Sequence, residues 1–295
     1  MSQMQRFDTR ALRRAFERAA ASCDAADVIG VRARTEMLAR LEGLPLTPGV
    51  VLDLGAGTGQ ASRALRDRYK KARVLALDLS PSMLAGARRR AAWLRRFDLI
   101  CADACRLPLR DASVDLVFAN LTLPWATDPD GMLAEVRRVL RPRGYLTFST
   151  LGPDTLLELR EAWAAADDAL HVHPFADMHD VGDALLRAGF TGPVMDVERL
   201  TVTYASLEAL YGDLRAVGGE NLLAARRRTL TGAARRRRAE AHYQQRRDAD
   251  GRLPASCELI YGQAWCPDGA TAAQGVPRET VVPLSRLGRR AGPST

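Results

Sequence analysis

Apolar and polar positions change rhythm three times along the 295-residue chain. Between residues 7 and 43 the apolar side chains recur at helical spacing: Leu12, Phe16 and Ala19/Ala20, then Met37, Leu38 and Leu41. That period predicts two amphipathic helices, each with one apolar stripe. Gly43, Pro45, Pro48 and Gly49 then interrupt the pattern, as turn-forming residues do.

From 50 to 150, short continuous apolar runs alternate with helix-length stretches. Val50–Leu54, Arg73–Asp78, Asp98–Asp103, Val114–Ala119 and Tyr145–Thr150 predict five strands. Helices are predicted over 60–69, 82–95 and 129–140. Ser80-Pro81 opens the second with proline at its first turn, and Arg141-Pro142-Arg143-Gly144 stops the third. Strands that are apolar throughout and separated by helices predict a mainly parallel sheet covered on both faces, a doubly wound α/β fold.

Beyond 150 the rhythm is mostly helical. Asp177–Ala188 is closed by Gly189, and further helices are predicted over 206–216 and 222–247. A β-rich run over 193–204 and a last strand over Leu259–Trp265 complete the sheet. After Cys266 the chain is rich in Gly, Pro, Ala, Thr and Arg, which predicts a disordered tail over 267–295. The expected organisation is an N-terminal helical lid (1–43), a ligand-binding core (44–150), a helical substrate or partner region (151–266) and that tail.

Composition narrows the class. Apolar residues make up 47% of the chain, enough for a large core, and no apolar run reaches membrane-spanning length. The first residues lack the apolar centre of a secretion signal, so a cytoplasmic protein is expected. The net charge is +8, and 41 of the 43 basic residues are arginine. Such a balance suits an acidic partner. Five cysteines form no CxxC pair, which predicts no disulfide framework. Cys101, Cys105, His171 and His173 are spaced too loosely to predict a zinc site, so no metal is expected.

The chemistry concentrates at strand ends. Asp53-Leu54-Gly55-Ala56-Gly57-Thr58-Gly59 joins the first strand to the first helix of the core. Glycines there allow a tight turn and a close approach to a ligand. Gln60 stands where the dinucleotide fingerprint needs glycine or alanine, and no Gly-Lys-Ser/Thr of a P-loop is present. Asp78, Asp103 and Asn120 end or follow the next three strands. Asp115 is read as a framework residue.

In this order the residues resemble the class I S-adenosyl-L-methionine (SAM)-dependent methyltransferases with a Rossmann-like core. The resemblance implies a cofactor site of Asp53, Gly55, Ala56, Gly57, Gly59, Asp78, Leu79, Asp103, Ala104 and Asn120. In it, Asp78 would accept the ribose hydroxyls, Asp103 the adenine amino group, and Asn120 would lie beside the methyl group.

The resemblance continues outside the core. Phe148–Leu156 with Glu158-Leu159-Arg160, Phe175–Leu185 with Arg187-Ala188-Gly189-Phe190, and Asp250–Ala255 through Tyr261-Gly262 to Trp265 resemble the malonyl-acyl-carrier-protein O-methyltransferases of biotin synthesis. Cys23 stands where that family usually has tyrosine, and Pro124 where it usually has glutamine. The resemblance implies methylation of the free carboxylate of a malonyl thioester, with Arg160, His179, Arg187 and Trp125 as acceptor-site candidates. The implied partner is an acidic acyl carrier protein, met by Arg226, Arg227, Arg228, Arg235, Arg236, Arg237 and Arg238. Two other readings compete: a protein-arginine hydroxylase similar to the complex I assembly factors, which share the late Asp-Gly-x-x-Pro-Ala segment, and a basic nucleic-acid-binding protein on a degenerate core. The intact glycine loop and both strand-end aspartates argue against the latter.

Overall fold

The computed structural model describes residues 7–268 except 92–96, 225, 228 and 230. Three N-terminal helices come first: α1 (Thr9–Ala19), α2 (Cys23–Ala26) and α3 (Val28–Arg40). The core follows as β1 (Val50–Leu54), α4 (Gln60–Arg68), β2 (Arg73–Asp78), α5 (Pro81–Arg90), β3 (Asp98–Cys101), β4 (Val114–Asn120), α6 (Pro129–Val139) and β5 (Leu140–Leu151). The chain continues through α7 (Leu157–Ala164), α8 (Met178–Arg187), β6 (Thr191–Tyr204), α9 (Leu207–Ala216), α10 (Ala233–Gln244) and β7 (Leu253–Trp265).

The seven strands form one sheet in the order β3-β2-β1-β4-β5-β7-β6. The first five are parallel, β7 runs antiparallel to β5, and β6 antiparallel to β7. The apolar strands follow from this layering, since helices cover both faces. Leu52 and Leu54 of β1 pack with Val136 of α6 and Leu185 of α8 on one side. Val51 packs with Met37 of α3 and Leu65 of α4 on the other. The order reverses between β1 and β4, so their carboxyl ends flank a crevice. Helix starts are fixed by short polar side chains: Asp27 accepts the N–H of Gly30, Ser80 that of Met83, and Asp128 that of Gly131. Among the described residues no helix is long and apolar enough to cross a membrane.

Several expected boundaries shift, and each shift has a tertiary cause. The region before residue 43 holds three helices because Asp27 caps a new start after α2. The helix expected over 222–247 forms only from Ala233 to Gln244. Leu222 and Leu223 are instead drawn under α1: Leu222 accepts the Asp8 N–H, and Leu223 is fully buried beside Phe7 and Leu12. The last strand starts at Leu253 rather than 259, because β6 and β7 pair from Tyr204↔Leu253 to Thr191↔Trp265. Strand β5 begins at Leu140. The third strand stops at Cys101, and the helix expected over 82–95 ends at Arg90. Residues 92–96 and, apart from Pro267 and Asp268, the expected tail lie outside the described residues.

Asp115 braces the reversal point. Its carboxylate accepts the N–H groups of Gly49 (2.9 Å) and Val50 (2.8 Å) and pairs with Arg141 (2.7 Å). Asp115→Ala should lower the unfolding free energy by about 1–3 kcal/mol in urea titration, with affinity for S-adenosylhomocysteine unchanged; equal stability would remove this bracing role.

Candidate functional site

A cavity of about 360 Å³ opens at the carboxyl ends of β1, β2 and β4. That volume lies within the roughly 300–1,000 Å³ typical of small-molecule sites. The turn after β1 enters its floor. Gly55 and Ala56 both donate N–H groups to the Leu77 carbonyl, at 2.8 and 2.9 Å, which bends the loop over β2. Gly57 has φ +54°, and a Cβ there would meet nothing within 4 Å, so the backbone faces open space. Gly59, at φ +81°, is different: a Cβ there would press on Ala87 at 2.9 Å.

Asp78 ties this loop to the end of β2. One carboxylate oxygen accepts the Gly57 N–H at 2.9 Å and the other the Ser80 N–H at 2.8 Å. Burial raises its pKa against the opposing pull of those backbone donors. Asp53 is buried, with the Ser62 hydroxyl donating to it at 2.5 Å. Burial, opposed by Ser62 and reinforced by the charge of Asp78, pushes its pKa up to about 7. Asp103 accepts the Cys105 N–H at 2.9 Å. Asn120 donates to the Gly30 carbonyl of α3 at 3.1 Å and accepts from Ser149 at 2.9 Å.

The N-terminal helices roof this floor. Asp24 accepts from Thr58 (2.5 Å) and Gln60 (2.7 Å) and pairs with Arg90 (2.7 Å). Burial would raise its pKa, but these partners hold it below the usual carboxylate value. Cys23 also lines the cavity, and burial, then Asp24 and Asp27, push its thiol up to about 11. It stays protonated near neutrality and is no nucleophile. The far arm of the cavity is apolar, walled by Leu156, Val202, Leu210, Leu214, Val217 and Ala255, with Tyr204 and Asp213 among them.

The structure sorts the residues singled out from sequence. All the cofactor candidates line the cavity except Gly59, which instead serves the turn into α4. Of the acceptor candidates, Trp125 lines it, edge-on to Phe16 at 5.5 Å. The other three do not. Arg160 donates to the Pro153 carbonyl at 2.5 Å, His179 lies 82% exposed beside Asp177, and Arg187 pairs with Asp130 at 2.9 Å. None of the three is among the residues that line the cavity. His171 stacks on Trp163 at 3.8 Å, and His173 packs against Phe7, with burial pushing its pKa down to about 4. Among the described residues no cluster fit to hold a metal is found.

Sequence reasoning missed Arg34. It lines the cavity from α3, donates to the Gln60 side chain at 2.6 Å and lies 3.7 Å from Asp27. The signal was present: Asp27, Gly30 and Arg34 fall at i, i+3 and i+7 on one helix face.

Aspartates dominate the charged side chains of the lining: Asp24, Asp27, Asp53, Asp78, Asp103 and Asp213, against Arg34 alone. Such a site fits a cationic ligand that also offers hydroxyl and amino donors. Comparison with known proteins decides which. A methyltransferase-domain family model matches residues 52–148. The malonyl-(acyl-carrier protein) O-methyltransferase of Laribacter hongkongensis is 48% identical over 268 residues, covering 88% of this chain and 90% of that protein. The protein of the same name from Halorhodospira halophila is 48% identical over 287 residues, 97% of each chain. The chain belongs to the malonyl-acyl-carrier-protein O-methyltransferase family.

Solved structures of lower identity share the fold of this family member. The YcgJ protein of Bacillus subtilis superposes with a TM-score of 0.59 at 16% identity, covering 81% of this chain and 99% of its own. A SAM-dependent methyltransferase from Thermotoga maritima gives 0.51 at 18% identity, covering 86% and 99%. Membership of this family makes the chain a methyltransferase, and the aspartates of the cavity with the open backbone at Gly57 fit the sulfonium and hydroxyl groups of SAM.

Asp53 gives a pH test. Burial in the fold pushes its pKa up to about 7, against 3.8 ordinarily. Its ionisation therefore favours the unfolded chain, and its stabilising contribution is lost as pH rises from about 4 to about 7. Scanning calorimetry should find Asp53→Asn gaining thermal stability over the parent between about pH 5 and about pH 8. A difference independent of pH would show that Asp53 titrates normally.

Proposed function

We propose that this chain transfers a methyl group from SAM to the free carboxylate of a malonyl thioester held on an acyl carrier protein, an early step in making the pimeloyl part of biotin. One observation carries the reading. The apolar arm of the cavity is built from residues 151–257, beyond the generic methyltransferase segment, and the 48% identity to relatives named for this acceptor runs through that region.

The sulfonium of the bound cofactor supplies an electrophilic methyl group. An oxygen of the acceptor carboxylate would form the new C–O bond as the S–C bond broke, giving S-adenosylhomocysteine and a methyl ester. No proton moves, because a carboxylic acid with a pKa near about 4 is already ionised at neutrality. The protein therefore needs no general base. Cys23 and Tyr204, pushed up to about 11 and about 12 chiefly by burial, are poor ones in any case. Alignment and exclusion of water are the remaining tasks. In this reading the glycine loop, Asp78 and Asp103 hold the adenosine, and Asn120 faces the methyl group. Leu210 and Leu214 of α9, with Val217 just after it, strip water from the acceptor. The N-terminal helices act as a lid, latched through Asp24 to Thr58, Gln60 and Arg90.

The carrier would meet the basic stretch around α10. Part of that charge is already engaged. Arg227 and Arg235 lie 3.5 and 3.8 Å from Asp167, Arg236 pairs with Glu208 and Glu240, and Arg226 and Arg238 donate to backbone carbonyls. Arg237 is exposed, and Arg228 lies outside the described residues. The stretch keeps a positive surplus, which suits salt-sensitive steering of an acidic domain.

Incubation with methyl-labelled SAM and malonyl-acyl carrier protein should add one base-labile methyl to the carrier by intact mass, and Gly57→Arg should abolish the gain. Cofactor binding without transfer to this carrier would overturn the acceptor assignment.

A further inference from the structure

Arg34 is the sole cationic side chain lining the cavity among the described residues, against six aspartates. SAM brings three charges to such a place: a sulfonium, an α-ammonium and an α-carboxylate. The two cations find ready partners in an acidic lining. The anion does not, and an unpaired carboxylate in a partly desolvated site is costly.

Position selects among the charges. Asp103 and Asp78 sit at the ends of neighbouring strands, and Asp78 reaches back to Gly57. This places the adenosine half along β2 and β3. Arg34 lies at the opposite end of the loop. It donates to Gln60 in the first turn of α4, and its charge is felt by Asp53 at the end of β1. The guanidinium is held in place from both sides. Its own side chain is 12% exposed, and α3 is fastened to the sheet edge by Arg32–Glu198 at 2.6 Å and Arg40–Asp196 at 2.5 Å. Arg34 pairs with Asp27 at 3.7 Å and donates to Gln60, which leaves further guanidinium N–H donors for a ligand.

We propose that Arg34 binds the α-carboxylate of the cofactor's methionyl group and fixes that end of the ligand against the glycine loop. Arg34 is then a cofactor-binding residue, and the acceptor carboxylate is left without a guanidinium clamp, which preserves its nucleophilicity. The inference rests on the cofactor and not on the identity of the acceptor.

Calorimetric titration of the full chain with S-adenosylhomocysteine and with its decarboxylated analogue tests this without any acceptor. The parent should bind the carboxylate-bearing ligand more tightly by about 10- to 100-fold, the range of a charge-assisted pair. Arg34→Ala should lose that preference by weakening only the carboxylate-bearing ligand, and Arg34→Lys should keep part of it. A parent that does not discriminate, or a variant that weakens both ligands equally, would overturn the proposal. So would unchanged S-adenosylhomocysteine affinity with a raised KM for a malonyl thioester, which would move Arg34 to the acceptor. The parent comparison stands even if a variant folds poorly.

Discussion

One carboxylate joins the two halves of the cofactor crevice. Asp78 ends β2, yet its oxygens receive the N–H groups of Gly57 from the turn after β1 and of Ser80 from the start of α5. The glycine loop is thereby held open beside the second strand instead of collapsing onto the sheet. Everything on the cavity floor depends on this link. Asp53 is buried behind the loop, Thr58 and Gln60 project from it to meet Asp24 of the roof, and Gln60 hands on to Arg34. The reversal of strand order between β1 and β4 provides the crevice; the Asp78 carboxylate gives it a fixed shape.

Charge then assigns tasks within that shape. A cavity lined by six aspartates and one arginine suits a ligand whose reactive centre is a cation. It is poorly suited to an anion entering alone. On the proposed reading, a carboxylate acceptor would find no guanidinium in the apolar arm, and Asp213 would repel it. The attraction that remains is the sulfonium itself, at short range and in a desolvated setting. On the proposed reading, donor and acceptor would be drawn together by the charges that the reaction cancels, leaving the protein to align and dry the site without proton transfer.

Much of this was legible in the sequence because strand ends in a doubly wound sheet are punctuated by local chemistry. Gly55 and Gly57 need positive φ, and Asp78 closes an apolar run whose length shows where β2 stops, whereas the run ending at Asp103 overstates β3, which stops at Cys101. The parts that were not legible depend on contacts distant in sequence. A helix expected from residue 222 forms only from Ala233, because Leu222 and Leu223 are buried under α1 instead. Arg160, His179 and Arg187 lay in segments resembling the family, but resemblance does not say which way a side chain points. Arg34 went unnoticed because Gln60, to which it donates, comes from a different element. A cation on a surface-type helix becomes informative only once that helix is seen to roof a cavity.

The central claim is that the cofactor's positive charge, rather than a protein cation, holds the acceptor carboxylate. Binding of malonyl-acyl carrier protein, measured by calorimetry on the protein saturated with either of two ligands, tests it directly. Sinefungin carries an amine where the sulfonium methyl would be, and S-adenosylhomocysteine is neutral there. The account predicts clearly tighter binding of the carrier to the sinefungin complex, with the advantage shrinking as salt is added. Equal affinity in the two complexes would contradict it and require a protein group that grips the carboxylate on its own.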